Sequence, residues 1–269
     1  MLHYSRSNLK HMEKYLMSKL ISALLGGAAL ATMTVSPAHA ILQIAAQVNG
    51  GTIFTCYDNQ SGCDTNGTTG TLTLGQTTIG GVTFEGSSQT QLIGPPTNAL
   101  LTNSETITNG TGATATILFA VSGTGFAAPT TTFDASGSAT FLTAAGSLLN
   151  MAWYGDTANT QGAGTPTDTP GVQLALASFT STGTDSFATG PLTGAWLTSD
   201  PYSWTMTAGG TLSAGATATI TSRGQDIISD VVAVPEPGTL AMLGSGLIGM
   251  AGFLGWRRRR HDDCVIPLT

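Results

Sequence analysis

The sequence predicts an all-β protein: a single antiparallel β-sandwich-like or barrel domain, flanked by an N-terminal signal peptide and a C-terminal transmembrane helix. Three observations carry this. Between the two ends no helical period is sustained, and Gly, Thr, Asn and Ser punctuate the chain at short intervals. Several segments alternate apolar and polar residues, as half-buried strands do. Charged residues make up only 9% of the chain, far below the roughly one quarter of an ordinary soluble domain.

Strands are expected at 41–48, 70–74, 77–84, 89–93, 114–122, 138–143 and 216–222. The clearest alternation sets Val172, Leu174 and Leu176 against Gln173, Ala175 and Ala177, and Tyr202, Trp204 and Met206 against Ser203, Thr205 and Thr207. Thr is the common outward residue, where its branched Cβ suits a pleated surface. Positions 155–171 and 180–194 are rich in Gly, Thr, Pro and Asp and read as long surface loops. With few charges available to keep edge strands apart, loops and Pro95, Pro96 and Pro129 are expected to manage them. Trp153, Trp196, Trp204 and the phenylalanines spread among aliphatic partners argue for a packed core, and against disorder.

The domain boundaries follow from the ends. Residues 1–40 read as a signal peptide: basic residues, an apolar stretch at 20–35, and a small-residue cleavage motif at Ala38-His39-Ala40, with Met17 an alternative start. Residues 41–232 form the exported all-β domain, and 233–239 a linker around Val234-Pro235-Glu236-Pro237. Seventeen uncharged residues at 240–256, rising 1.5 Å each, span about 25 Å, the lower limit for crossing the hydrocarbon core. Their glycines suit a membrane helix better than a soluble one. Arg257, Arg258, Arg259 and Arg260 open a basic tail, 257–269, which the positive-inside rule keeps in the cytoplasm.

The Val-Pro-Glu-Pro motif, the Gly-rich apolar stretch and the Arg cluster, in that order, resemble the PEP-CTERM sorting signal. The resemblance is confined to 234–260. It implies an exported protein of a Gram-negative bacterium that makes exopolysaccharide. It also implies processing at the inner membrane by an exosortase, and a final place on the cell surface or in the extracellular matrix. Pro235, Glu236 and Pro237 would then be recognition residues in a substrate. His261 to Thr269 extend beyond the usual end of such signals, leaving cleavage or retention as a single-pass anchor open.

Charge narrows the function. Eleven acids and Arg223 alone lie at 58–230, about ten net negative charges, against −6 for the whole chain. Such a surface repels phosphate backbones, so nucleic acid is not an expected partner. Every His (His3, His11, His39, His261) and Lys (Lys10, Lys14, Lys19) lies in the end segments. The domain therefore lacks the imidazole or amine that activates most nucleophiles and fills most zinc sites.

Catalysis would fall to carboxylates, for example Asp156 with Asp168 or Glu85 with Glu105 as the acid and base of a glycoside hydrolase. Nothing in the sequence brings either pair together, and no enzyme is expected. Cys56 and Cys63 flank a polar, turn-rich loop and read as a disulfide formed in an oxidising compartment. Asp58 and Asp64 in that loop are candidate calcium ligands, against the alternative of an Asx-rich turn. Otherwise no cofactor is expected. Trp153 and Trp196, both beside loops, are candidate carbohydrate platforms, against the alternative of core aromatics. The expected role is a structural or interaction component associated with exopolysaccharide or biofilm, or else a carbohydrate- or calcium-binding surface module.

Overall fold

The computed structural model describes residues 41–93, 97–198, 200–220 and 225–230, which fall within one compact unit, Ala38–Val234. The signal peptide, the sorting motif and the 240–256 segment lie outside the described residues. Among the described residues there is no helix, hence none long and apolar enough to cross a membrane.

The chain folds as an antiparallel β-sandwich. One sheet runs in the order β10 (Val172–Thr180), β9 (Leu148–Asp156), β13 (Tyr202–Leu212), β7 (Ala115–Phe126), β1 (Gln43–Val48), β2 (Phe54–Tyr57). The other is built on β8 (Thr130–Leu142), β6 (Thr97–Asn109) and β5 (Val82–Leu92). Its remaining positions are filled by short strands in tandem. Both β14 (Thr217–Ile220) and β15 (Gln225–Asp230) lie between β6 and β8. Along the outer edge of β8 run β11 (Asp185–Ala188) and β12 (Leu192–Thr198). Along β5 run β3 (Thr71–Thr73) and β4 (Thr77–Ile79). Both sheets are thus six strands wide.

Sequence alternation places the core between them. Inward positions on β8 (Phe133, Ala135, Ala139, Phe141), β7 (Ile117, Phe119, Val121) and β13 (Tyr202, Trp204, Met206) join one buried cluster, while the outer faces are mainly Thr, Ser and Asp, with Leu118, Ala120 and Leu142 as apolar exceptions. Gly137 also faces in. A Cβ there would meet the sulfur of Met151 at 2.7 Å and the Trp153 ring at 3.2 Å, so glycine is what lets β9 seat its large side chains.

Three expectations are corrected. The strand expected at 77–84 is a hairpin, β4 and β5, turning at Gly80-Gly81 with φ of 56° and 82°. Such Gly-Gly turns match the twist of a two-residue hairpin. The loop expected at 180–194 contains β11 and the start of β12, because Phe187 and Leu192 reach the core from short strands. Finally, Pro129 guards no edge. It precedes β8, which has neighbours on both sides. The sandwich closes its flanks with side chains instead. Phe179 of β10 stacks on Phe187 of β11 at one flank. At the other, the Cys56–Cys63 disulfide and an isolated bridge between Asp64 and Leu74 link β2 to the β3 region.

Candidate functional site

The first surface feature is the loop after β2. Cys56 and Cys63 are joined as a disulfide, with Cα atoms 6.0 Å apart. Inside it the Asp64 carboxylate accepts backbone N–H groups from Asn59 (2.7 Å), Asn66 (2.9 Å) and Thr73 (2.9 Å), and Asp58 accepts from Gly70 (2.6 Å). Burial raises the Asp58 carboxyl above its ordinary range; the Gly70 N–H opposes this and the neighbouring Asp64 adds to it. Both side chains therefore staple the loop, the Asx-turn chemistry that the sequence left open beside calcium ligation.

Of the two readings open for the tryptophans, sugar platform and core, the structure has the core. Trp153 is 0% exposed and Trp196 7%, so neither presents a ring face to a sugar. Alternation turns Trp153 from β9 onto Gly137, and Trp196 packs edge-on against Tyr202 and against Gly155.

Of the two carboxylate pairs, Glu85 and Glu105 part. Glu85 is exposed whereas Glu105, paired one position away across β5 and β6, is 0% exposed: the pleat sends them to opposite faces of the sheet. Asp156 accepts the N–H groups of Ala158 and Thr160 at 3.0 Å each. Desolvation pushes it up, but bonds from Thr160 and Ala158 outweigh that and hold it below the ordinary carboxylate range. Asp168 accepts the Gly164 N–H at 3.1 Å. Both lie on the one connection from β9 to β10, and each carboxylate is engaged by backbone N–H groups of that segment.

An open groove of about 480 Å³ runs over the outer face of the second sheet. Thr132 and Asp134 of β8, Thr193 and Gly194 of β12, and Ile228 and Asp230 of β15 line it.

The chemistry that sequence reasoning missed is inside. Across the second sheet, Gly137, Gln225, Thr102 and Gln89 stand in register on β8, β15, β6 and β5. The three side chains of this row are polar and at most 2% exposed. Gln225 Nε2 donates to the Thr207 carbonyl at 2.9 Å, crossing to the opposite sheet, and Thr102 Oγ1 donates to Gln89 Oε1 at 2.8 Å. The row lies along a fault in the sheet. The pairing of β5 with β6 slips between Glu85 and Gln89, and β14 gives way to β15 between 220 and 225.

Glu105 is the next inward side chain of β6 beyond Thr102, at the bulge that places Asn103 and Ser104 between them. Among the described residues neither of its oxygens has a hydrogen-bond partner, and burial pushes its carboxyl up to about 8. The sequence signal was a glutamate flanked by Thr and Ser at strand period. It shares the inner face of β6 with Ile107 and Asn109 by plain alternation, and the bulge falls between it and Thr102.

Comparison with known proteins adds little about the domain. No curated protein matches. Two structures of infectious bursal disease virus align weakly: its Gx strain at 14% identity and TM-score 0.25, over 77% of this chain and 55% of that one; and its VP2 subviral particle at 13% and 0.24, over 75% and 57%. The chain thus spans little more than half of either. At its other end the result is specific. The family model for the PEP-CTERM protein-sorting motif matches residues 233–260, covering the Val234-Pro235-Glu236-Pro237 motif and Arg257 to Arg260. The chain carries a PEP-CTERM sorting signal, which assigns it to export and to membrane-associated sorting by an exosortase.

Proposed function

We propose that the domain at 41–232 acts outside the cell as a non-catalytic structural or interaction component of an exopolysaccharide-rich surface or matrix. The observation that carries this reading is the sorting motif at 233–260. Two features of the domain support it: no His or Lys lies within 41–232, and the loop carboxylates hydrogen-bond to backbone N–H groups of their own loops. Fractionation of cells with and without the exosortase is the test. The chain is expected in the envelope or matrix fraction, with 233–260 removed, only when the enzyme is present. An unchanged mass and location in its absence would overturn the reading.

The groove favours a second reading, in which the domain holds polysaccharide. Its Thr and Asp side chains offer the hydroxyl and carboxylate groups that hydrogen-bond sugar hydroxyls. Retention of the exported protein on exopolysaccharide, lost in Asp134→Asn with Asp230→Asn, would favour it over the first. Calcium at Asp58 and Asp64 would displace the N–H donors now on those oxygens. A melting temperature unmoved by calcium or chelator speaks against it.

A further inference from the structure

We propose that Thr102 and Gln89 become joined by an ester bond between strands β6 and β5, with Glu105 carrying the proton. The Thr102 hydroxyl oxygen attacks the amide carbon of Gln89. The Oγ1–Cδ bond forms, the Cδ–Nε2 bond breaks, and the nitrogen leaves with the hydroxyl proton as ammonia. No oxidant, metal or second substrate enters the balance.

The geometry assembles what this step requires. The two residues are register partners on adjacent strands, both facing inward, with 2.8 Å between the hydroxyl oxygen and the amide oxygen. A carbonyl carbon lies about 1.2 Å from its oxygen, so the attacking atom stands within about 4 Å of the carbon, close to the 3–3.5 Å of a near-attack arrangement. Thr102 is 1% exposed and Gln89 0%, so water that would hydrolyse an ester is kept out.

An amide is a poor acceptor for an alcohol, and its nitrogen leaves only when protonated. Glu105 sits at the adjacent inward position with both oxygens unpartnered, and burial keeps its carboxyl protonated at neutral pH. Neither Glu105 oxygen hydrogen-bonds Thr102 or Gln89 in this structure, so the acid lends its proton to the departing nitrogen and recovers one from the hydroxyl only after its side chain turns toward the amide. As a purely structural residue, a buried carboxyl without a partner is a cost with no return. Released ammonia is protonated in bulk solvent and does not return to the site.

The bond would clamp β5 to β6 where their register slips. It requires no ligand and does not depend on where the protein is finally attached.

Intact mass of the exported, reduced and denatured protein decides the proposal. The expected mass is lower than that of the processed chain by one ammonia. After digestion at Leu92 and Leu100, the fragments holding Gln89 and Thr102 should stay joined until hydroxylamine parts them. Thr102→Val and Gln89→Met should each restore the full mass. Glu105→Gln, which keeps the shape but removes the acidic proton, should leave most molecules unlinked. A folded wild-type protein of full mass overturns the proposal whatever the variants do. So does a deficit that maps to a succinimide at Asn49, Asn66 or Asn109, each of which precedes Gly.

Discussion

The two ends of the core are built on different principles. At the end where β6 finishes, β7 begins and β13 finishes, the interior is packed by Phe84, Ile107, Ile117, Phe119, Phe141, Leu149 and Leu212, around a void of only about 10 Å³. At the opposite end, polar groups are threaded through aromatic rings. Asn98 donates to the Ala127 carbonyl at 2.7 Å and to the Tyr202 hydroxyl at 2.8 Å, and that hydroxyl shares a 2.6 Å hydrogen bond with Ser229. Gln91 reaches the Thr124 carbonyl at 2.6 Å, while Phe126, Tyr202 and Trp204 pack ring against ring. One end is held by non-directional burial, the other by specific pairing, and the Gln225–Thr102–Gln89 row with Glu105 divides them. A chain so poor in charge can solubilise its surface with Thr and Ser. It must then secure register by internal hydrogen bonds, because burial alone tolerates slippage wherever the sheet is irregular.

The largest expected effect lies at the aliphatic end. Phe119→Ala removes a ring that is 2% exposed and should cost about 3–5 kcal/mol in denaturant unfolding, since a packed core collapses only partly around a cavity. The dividing row should respond to pH. Glu105 titrates near 4.5 when unfolded and at about 8 when folded, so the folded state binds its proton more tightly. Its contribution is fully present below pH 4.5 and is lost as pH rises through 8, an upper limit of roughly 5 kcal/mol. Asp156 and Asp185 are shifted down and act in the opposite sense, losing stability only as pH falls through the acid range. Melting temperatures between pH 5 and 8 should therefore decline in the wild type and flatten in Glu105→Gln. Equal slopes in the two would show that Glu105 is solvated.

Next in size is the flank. The disulfide closes an eight-residue loop from Cys56 to Cys63, for which chain entropy gives about 2–3 kcal/mol. Reduction should lower the unfolding midpoint without separating the two ends of the core, because Leu72 and Leu74 remain buried beside β5. Unfolding that begins selectively at one end after reduction would mean that the flank, not the interior, couples them.

How far the fold can be read from sequence follows the same division. Alternation revealed β13 with its faces and Thr with Gly revealed an all-β chain, because those signals are local; β10 is a strand as expected, but its bulge between Gln173 and Ala175 turns Ala175 and Ala177 to the core and leaves Val172 and Leu176 exposed. The inward turn of Glu105 was illegible because no strand was expected at 97–109, where it alternates with Ile107 and Asn109; which residues precede it on the inner face is decided across the bulge by the partner strand. The Thr102–Gln89 contact was illegible for the same reason, since pairing register is a property of two segments. Trp153 and Trp196 were read as platform or core with no means of choosing, because the choice rests on which residue stands opposite, here Gly137 for Trp153. The C-terminal motif was legible in full because it is recognised as a linear segment, whatever the domain before it does.

The smallest effect is the most discriminating between the two ends. Tyr202→Phe leaves ring packing intact and removes only the hydroxyl, whose ionisation burial already pushes up to about 12. It should cost about 1 kcal/mol at neutral pH, the net value of a buried hydrogen bond. Asn98→Ala should cost more, about 2 kcal/mol, because it leaves the Ala127 carbonyl without that partner as well. Together they should cost less than their sum, since the second change removes a group whose partner has already gone. At the aliphatic end Val82→Ala with Leu149→Ala, which share no hydrogen bond, should add within about 0.5 kcal/mol if the sites are independent. A double-mutant cycle at each end measures this directly. Additivity at both would reduce the polar end to ordinary packing, whereas a coupling confined to Asn98 and Tyr202 would show that the interior is stitched at one end and merely filled at the other.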